Sequence, residues 1–401
     1  MAQLESSLSQ ANMIATPGVG KGVKDLAHLR LVSGYILTLI GLVGLFGGDW
    51  DIQWHALIGR DRTFTPPHDL ILLGIGLSGI VALLSILIET AWLRRRPDLQ
   101  SYGSDFLGVL HSSLGLYLVG FGAVCAAVAF PLDTYWHSLY GIDVSLWAPF
   151  HTMIYMGGIL STFGVLYLLL SAAHLAEMQH ERWTTILSYA GVVASLGILL
   201  SKFSTFLTPA LSGHALHLAS LTISLFPFLL AVVAVFICVL VLRLIPWLGA
   251  ATMAIGFSLL LLLLLSTFIP PLMTLLVQAE HETYLARASR LGSIIVPLLG
   301  QTPVLLLAAL CLDGLVWLGR RRQWALPTVR KWSLVALLAS MFLVAGSVLV
   351  LLDISQRAAR GGGVGLALVG LVLSLLLTIP GSLLGNWLAS KVSESLQGLR
   401  R

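Results

Sequence analysis

Two aspartates and four histidines, set out twice at matched spacing, are the side chains of this 401-residue chain best suited to chemistry. Asp51 precedes His55 by four residues and His68 follows; Asp133 precedes His137 by four and His151 follows. Trp54 matches Trp136, Gly59 Gly141, Asp61 Asp143, Pro66 Pro149 and Gly74 Gly157, at an offset of 82 residues that becomes 83 after Asp61/Asp143. A carboxylate and an imidazole four apart share one helix face. An imidazole from the start of the next helix, fixed there by Pro66 or Pro149, would complete a three-ligand pocket. Three protein ligands with a position left open is the arrangement of catalytic metal sites. A polar cap on helices at a membrane interface would explain any one of these residues. The same three ligand types in both copies favour a duplicated metal site: Asp51, His55 and His68, then Asp133, His137 and His151. Iron(II), zinc and copper all accept two histidines and a carboxylate.

Residues around the ligands suggest supporting roles. Asp61 and Asp143 stand six residues after the first histidine of each set, where they could accept the free N–H of a ligating imidazole. Arg60 would offset charge in the first copy; the second has Ile142 there. Trp54 and Trp136 suit either packing at the site or an aromatic belt at the membrane interface. His214 and His217, three apart and expected to share a helix face, are candidates for additional metal contacts, as is His281 between Glu280 and Glu282.

The elements that would position these groups are transmembrane helices. The chain is 57% hydrophobic and 10% charged, against about a quarter charged in soluble domains. Apolar runs of about 20 residues, enough to cross a hydrocarbon core, are expected over 29–48, 69–93, 107–130, 151–175, 184–205, 217–242, 247–277, 293–318, 332–352 and 363–390. The expected fold is all-α, a polytopic transmembrane helical bundle of about ten spans. Residues 1–22, small and polar without a signal-peptide pattern, are expected as a flexible tail. Residues 23–176 would hold the duplicated helix–loop–helix metal-binding region, and 177–401 about six plainer spans. Lys21, Lys24, Arg30, Arg94 to Arg96, Arg182, Arg243, Arg320 to Arg322, Arg330, Lys331 and Lys391 fall on one side if both termini are cytoplasmic. The two histidine-rich connections then face outward. The net charge of +5 reflects this orientation, so no nucleic-acid partner is expected. Cys125, Cys238 and Cys311 lie apart within apolar runs and imply no disulfide framework. No phosphate-binding Gly-rich loop and no HExxH motif is present.

Asp51 to His68, read as D-x3-H-x4-R-D-x2-F-T-P-x-H, closely resembles the copper-site segment of one membrane subunit of the copper-dependent ammonia monooxygenase and particulate methane monooxygenase family. The matched positions are Asp51, Trp54, His55, Arg60, Asp61, Phe64, Thr65, Pro66 and His68. The resemblance implies copper at Asp51, His55 and His68. It also implies a second site of the form Asn-x3-His-x13-His, onto which Asp133, His137 and His151 map, with Asp133 where the family has Asn. It covers roughly residues 30–176. The family's enzymes are assemblies with two other kinds of chain, one bearing a cupredoxin-like soluble part that residues 177–401 do not resemble. The expected function is that of a copper-binding protein in the lipid bilayer, of the bacterial inner (plasma) membrane kind. It would oxidise a small apolar or amine substrate with dioxygen, partnered by other monooxygenase-type subunits or an electron donor. Non-catalytic copper handling, transport or assembly is the alternative.

Overall fold

The computed structural model describes residues 17–58, 64–141, 148–213, 215–218, 221–284, 292–360 and 368–398. Among them are nine helices long and apolar enough to cross a membrane, and the chain is an all-α bundle of membrane-protein type. In chain order these residues form α1 (Pro17–Leu57), α2 (Pro66–Arg95), a 3-10 turn (Pro97–Tyr102), β1 (Ser104–Phe106), β2 (Leu110–Ser112), α3 (Leu114–Tyr140), α4 (Pro149–Met178) and α5 (Arg182–Gly213). There follow β3 (Ala215–Leu218), β4 (Leu221–Ser224), α6 (Phe226–Leu244), α7 (Ala250–Ala279), α8 (Gly292–Arg321), α9 (Leu326–Arg360), α10 (Leu368–Leu376) and α11 (Thr378–Gly398).

Three expected boundaries are corrected. The tail ends earlier than residue 22, because α1 already runs from Pro17. Val23, Leu26 and Ala27 recur at helical spacing and bury themselves against Leu93, Leu99, Leu175 and Ala176. The third span starts at Leu114, not 107. The apolar stretch before it is an antiparallel β1–β2 hairpin, closed by the three residues Leu107 to Val109, with Leu107 and Gly108 at φ 57° and 69° and the Val109 N–H bonded to the Phe106 carbonyl at 3.2 Å. Ser113 then caps α3, its hydroxyl accepting from the Gly115 N–H at 3.2 Å. The sixth span starts at Phe226, not 217, because Ala215–Leu218 and Leu221–Ser224 pair as β3 and β4 and Pro227 sits in the first turn of α6.

Contacts divide the chain into two compact units, one of residues up to 51 with 61–195, the other of 52–60 with 196–399. The first is organised by an ion pair. Arg30 and Glu89 are 2% and 0% exposed. Arg30 donates Nε to Glu89 Oε1 at 3.0 Å and Nη2 to Glu89 Oε2 at 3.2 Å. It also donates to the Tyr102 carbonyl and to Ser171 Oγ on α4. Glu89 Oε2 accepts further hydrogen bonds from Ser112 Oγ and the Ser113 N–H. One network therefore joins α1, α2, the β-hairpin and α4, with the Ser33–Ser85 hydroxyl pair about one turn along. His111 of β2 exchanges two backbone hydrogen bonds with Thr90 Oγ1 of α2, which holds the hairpin against α2.

In the second unit α6 and α11 approach through small residues. A Cβ on Gly381 or Gly385 would stand 2.5 Å from the Phe228 or Val232 carbonyl oxygen. This spacing of two glycines four apart lets helix backbones touch in lipid. The buried Asp313 of α8 accepts from the Thr252 N–H at 2.8 Å and its hydroxyl at 2.6 Å, capping the start of α7, where Gly249 offers no side chain.

Removing one partner of a buried ion pair leaves the other charge uncompensated, at a cost of about 3–5 kcal/mol. Glu89→Ala should lose stability of this order in denaturant unfolding of the detergent-solubilised protein. Arg30→Met/Glu89→Met, which removes both charges, should recover most of it. Equal destabilisation of both variants would show that the pair itself contributes net stability.

Candidate metal centre

Each predicted ligand set comes together. Asp51 and His55 occupy the last turns of α1 and His68 the first turn of α2. Asp133 and His137 end α3, and His151 begins α4. In both groups one donor atom of every residue lies within 4.8 Å of the others. His68 Nε2 is 3.0 Å from Asp51 Oδ1. His137 Nε2 and His151 Nε2 are 3.3 and 3.2 Å from Asp133 Oδ2. His55 is buried and the other ligand residues are half-buried.

The prolines place the second histidine of each set. Pro66 and Pro67, and Pro149, stand in the first turns of α2 and α4. Thr65 and Ala148 precede them in extended conformation with no side-chain cap, as residues before proline prefer. The first backbone bonds, Asp69 N–H to Thr65 O and Thr152 N–H to Ala148 O, close the turns that carry His68 and His151.

Glycines set how closely the paired helices approach. Gly74 and Gly157 each follow the second histidine of their set by six residues. A Cβ on Gly74 would lie 3.0 Å from Gly44 Cα, and one on Gly157 2.6 Å from Gly122 O and 3.0 Å from Ala126 Cβ. Gly44 and Ala126 each precede the aspartate of their set by seven residues. In both pairs the backbones meet about two turns from the ligands. A Gly115–Gly164 contact continues this line between α3 and α4, where a Cβ on either would lie 2.6 Å from the other's carbonyl oxygen.

The hydrogen bonds of the second set define what it can bind. His137 Nδ1 lies 3.1 Å from Gly141 O, and a carbonyl oxygen only accepts, so Nδ1 carries the proton. Gly141 can turn back this way because it ends α3 at φ 82°. A neutral His137 then directs the Nε2 lone pair at Asp133 Oδ2, another acceptor. His151 Nε2 faces the same oxygen. An Nε2–H on neutral His151 would satisfy the carboxylate alone, whereas one divalent cation would satisfy all three groups. Asp133 Oδ1 is buried and accepts no hydrogen bond among the described residues. Ligand distances of about 2.0–2.2 Å place neighbouring donors about 3.0–3.5 Å apart, as the Asp51–His68, Asp133–His137 and Asp133–His151 pairs are. The residues fit a metal ion.

Around the sites, Trp54 is buried at 4% exposure. Trp136 packs on Tyr140, centroids 4.3 Å apart, and edge-on to Phe150 at 6.0 Å; both tryptophans are packed within helix ends. Arg60, Asp61, Asp143 and His214 lie outside the described residues. His217 lies on β3, so the expected shared helix face with His214 is corrected: β3 and β4 pair before α6 begins. Exposed His281 occupies a left-handed position, φ 53°, just past α7, where helix ends commonly place Gly or Asn; it stands outside both triads. Sequence reasoning passed over Gly44, Gly122 and Ala126, and also Phe130, whose ring meets His68. The repeated Gly74 and Gly157 were the available signal for the first three.

The chain matches no family model, no curated protein and no solved structure.

A leucine at Gly157 would force α3 and α4 apart and separate His151 from Asp133. Gly157→Leu should lose metal at the second triad and keep it at the first, in metal analysis of the variant alone and combined with His55→Ala/His68→Ala. Unchanged metal in both would dissociate the helix contact from the site.

Proposed function

We propose that this protein is a membrane-embedded copper-binding protein, of the kind represented by the membrane subunit of the ammonia and particulate methane monooxygenases that its sequence resembles. The observation that carries the reading is the pair of Asp/His/His groups, each gathered at a helix–helix turn with donor atoms within 4.8 Å. Copper is favoured over iron or zinc by the resemblance of Asp51 to His68. The matched spacing of the two sets supports an internal duplication. The Lys and Arg distribution supports an inner-membrane-type location with both sites facing outward.

The first triad is the proposed reactive centre. Bound copper would supply redox chemistry with dioxygen: one oxygen atom enters a small apolar or amine substrate and the other leaves as water, with two electrons from a separate donor. The chain's own residues do the rest. Asp51 offsets cationic charge, His55 and His68 orient their nitrogens, and three protein ligands leave a position open. Buried Trp54 packs the end of α1 beside His55. An electron donor, supplied by further monooxygenase-type subunits or another protein, is the partner this reading requires.

Elemental analysis of the purified protein, set against His55→Ala/His68→Ala and His137→Ala/His151→Ala, tests the assignment. Two coppers per chain, one lost in each double variant, are expected. Zinc or iron in their place overturns copper; no stoichiometric metal in any sample overturns the metal reading. Stoichiometric copper without oxygen-dependent turnover in the presence of a reductant would assign copper handling instead.

A further inference from the structure

The two triads are not separate. The His68 imidazole of the first meets Phe130 of α3 edge to face, with ring centroids 5.8 Å apart and planes at 87°. Phe130 lies three residues before Asp133, the carboxylate that faces both histidines of the second triad. Residues three apart on a helix are neighbours on one face, so a single turn of α3 touches both sites.

That turn is the one α3 holds least firmly. Pro131 lies inside it and has no N–H, so the Ala127 carbonyl four residues earlier loses its helical donor. The Thr134 hydroxyl bonds the Phe130 carbonyl at 3.3 Å, a competing contact that bends helices at such positions. Phe130 and Asp133 thus sit where small shifts of the helix cost least.

We propose that metal binding at the two triads is positively coupled through Phe130. An ion at Asp133, His137 and His151 immobilises Asp133 and with it the Phe130–Asp133 turn. The Phe130 ring then holds the His68 imidazole in the orientation that, 3.0 Å from Asp51, suits the first ion. The first ion meets a site whose ordering cost has already been met, which is the origin of positive cooperativity without new contacts. Coupling of this kind is reciprocal, so loading the first triad tightens the second equally. Phe130 acts here as a positioning residue. The inference rests on the metal-site reading above.

Copper(II) titration of the full-length protein in detergent, in competition with a chelator of known affinity, tests it. The product of the two wild-type binding constants is compared with the product of the single-site constants from His55→Ala/His68→Ala and His137→Ala/His151→Ala. The wild-type product should be larger by about 5-fold or more. Phe130→Leu should keep both sites but bring the ratio, taken against the same double variants in its own background, to one. Phe130→Tyr, which keeps the ring, should retain the coupling. A ratio of one in the wild type overturns the proposal while leaving two metal sites intact, as does a ratio above one that Phe130→Leu does not change. Single-site variants and wild type alike failing to bind copper would remove the metal reading, and the coupling with it.

Discussion

A bidentate ion pair with no water around it must satisfy every donor and lone pair locally, and this requirement governs the first unit. Arg30 and Glu89 meet it by recruiting Tyr102, Ser112, Ser113 and Ser171, so that α1, α2, the hairpin and α4 are held at one height. The position of the pair along the helices matters as much as its chemistry. Arg30 and Asp51 are 21 residues apart, and so are His68 and Glu89. At 1.5 Å per residue this is about 32 Å, close to the thickness of a hydrocarbon core. The charge clamp and the Asp51–His68 contact therefore pin the same two antiparallel helices at opposite ends. A one-residue slip between α1 and α2 would break both.

Between those ends, register is held by absence of side chain. Gly47 of α1 against α2, Gly74 of α2 against Gly44, and Gly122 and Gly157 between α3 and α4, let backbones touch where a Cβ on any of these four would collide. Lipid tails give apolar side chains no preference for protein over bilayer, so close backbone packing must supply the association that hydrophobic burial supplies in water. The same device of small residues set seven before the aspartate and six beyond the second histidine serves both triads.

The electrostatics of the second triad depend on a backbone atom. With Gly141 O holding the Nδ1 proton of His137, the remaining nitrogen is committed to the centre of the site, where it meets a carboxylate oxygen already faced by His151. A cation bound there would satisfy the His137 nitrogen, the Asp133 oxygen and the His151 nitrogen together. Trp136, Tyr140 and Phe150 pack together at the same helix ends.

The sequence by itself determined the membrane class, most of the helices and the six side chains that gather into the two triads, because these are local properties. An apolar run of about 20 residues needs no partner to favour a bilayer, and Asp and His four apart share a face on any helix. Local signals failed where apolar composition did not mean helix: at 107–113, where a three-residue turn and the Ser113 cap delay α3, and at 215–218, where pairing with 221–224 takes His217 off the helix expected for it. The tertiary structure alone decided which distant groups meet. Arg30 could have been a loop charge until α1 proved to extend below it and α2 to bring Glu89 alongside. Gly74, Gly157 and Phe130 acquire meaning only once antiparallel helices are placed in register. Contacts across tens of residues depend on packing rather than on periodicity, and packing is what joins the two triads through a single phenyl ring.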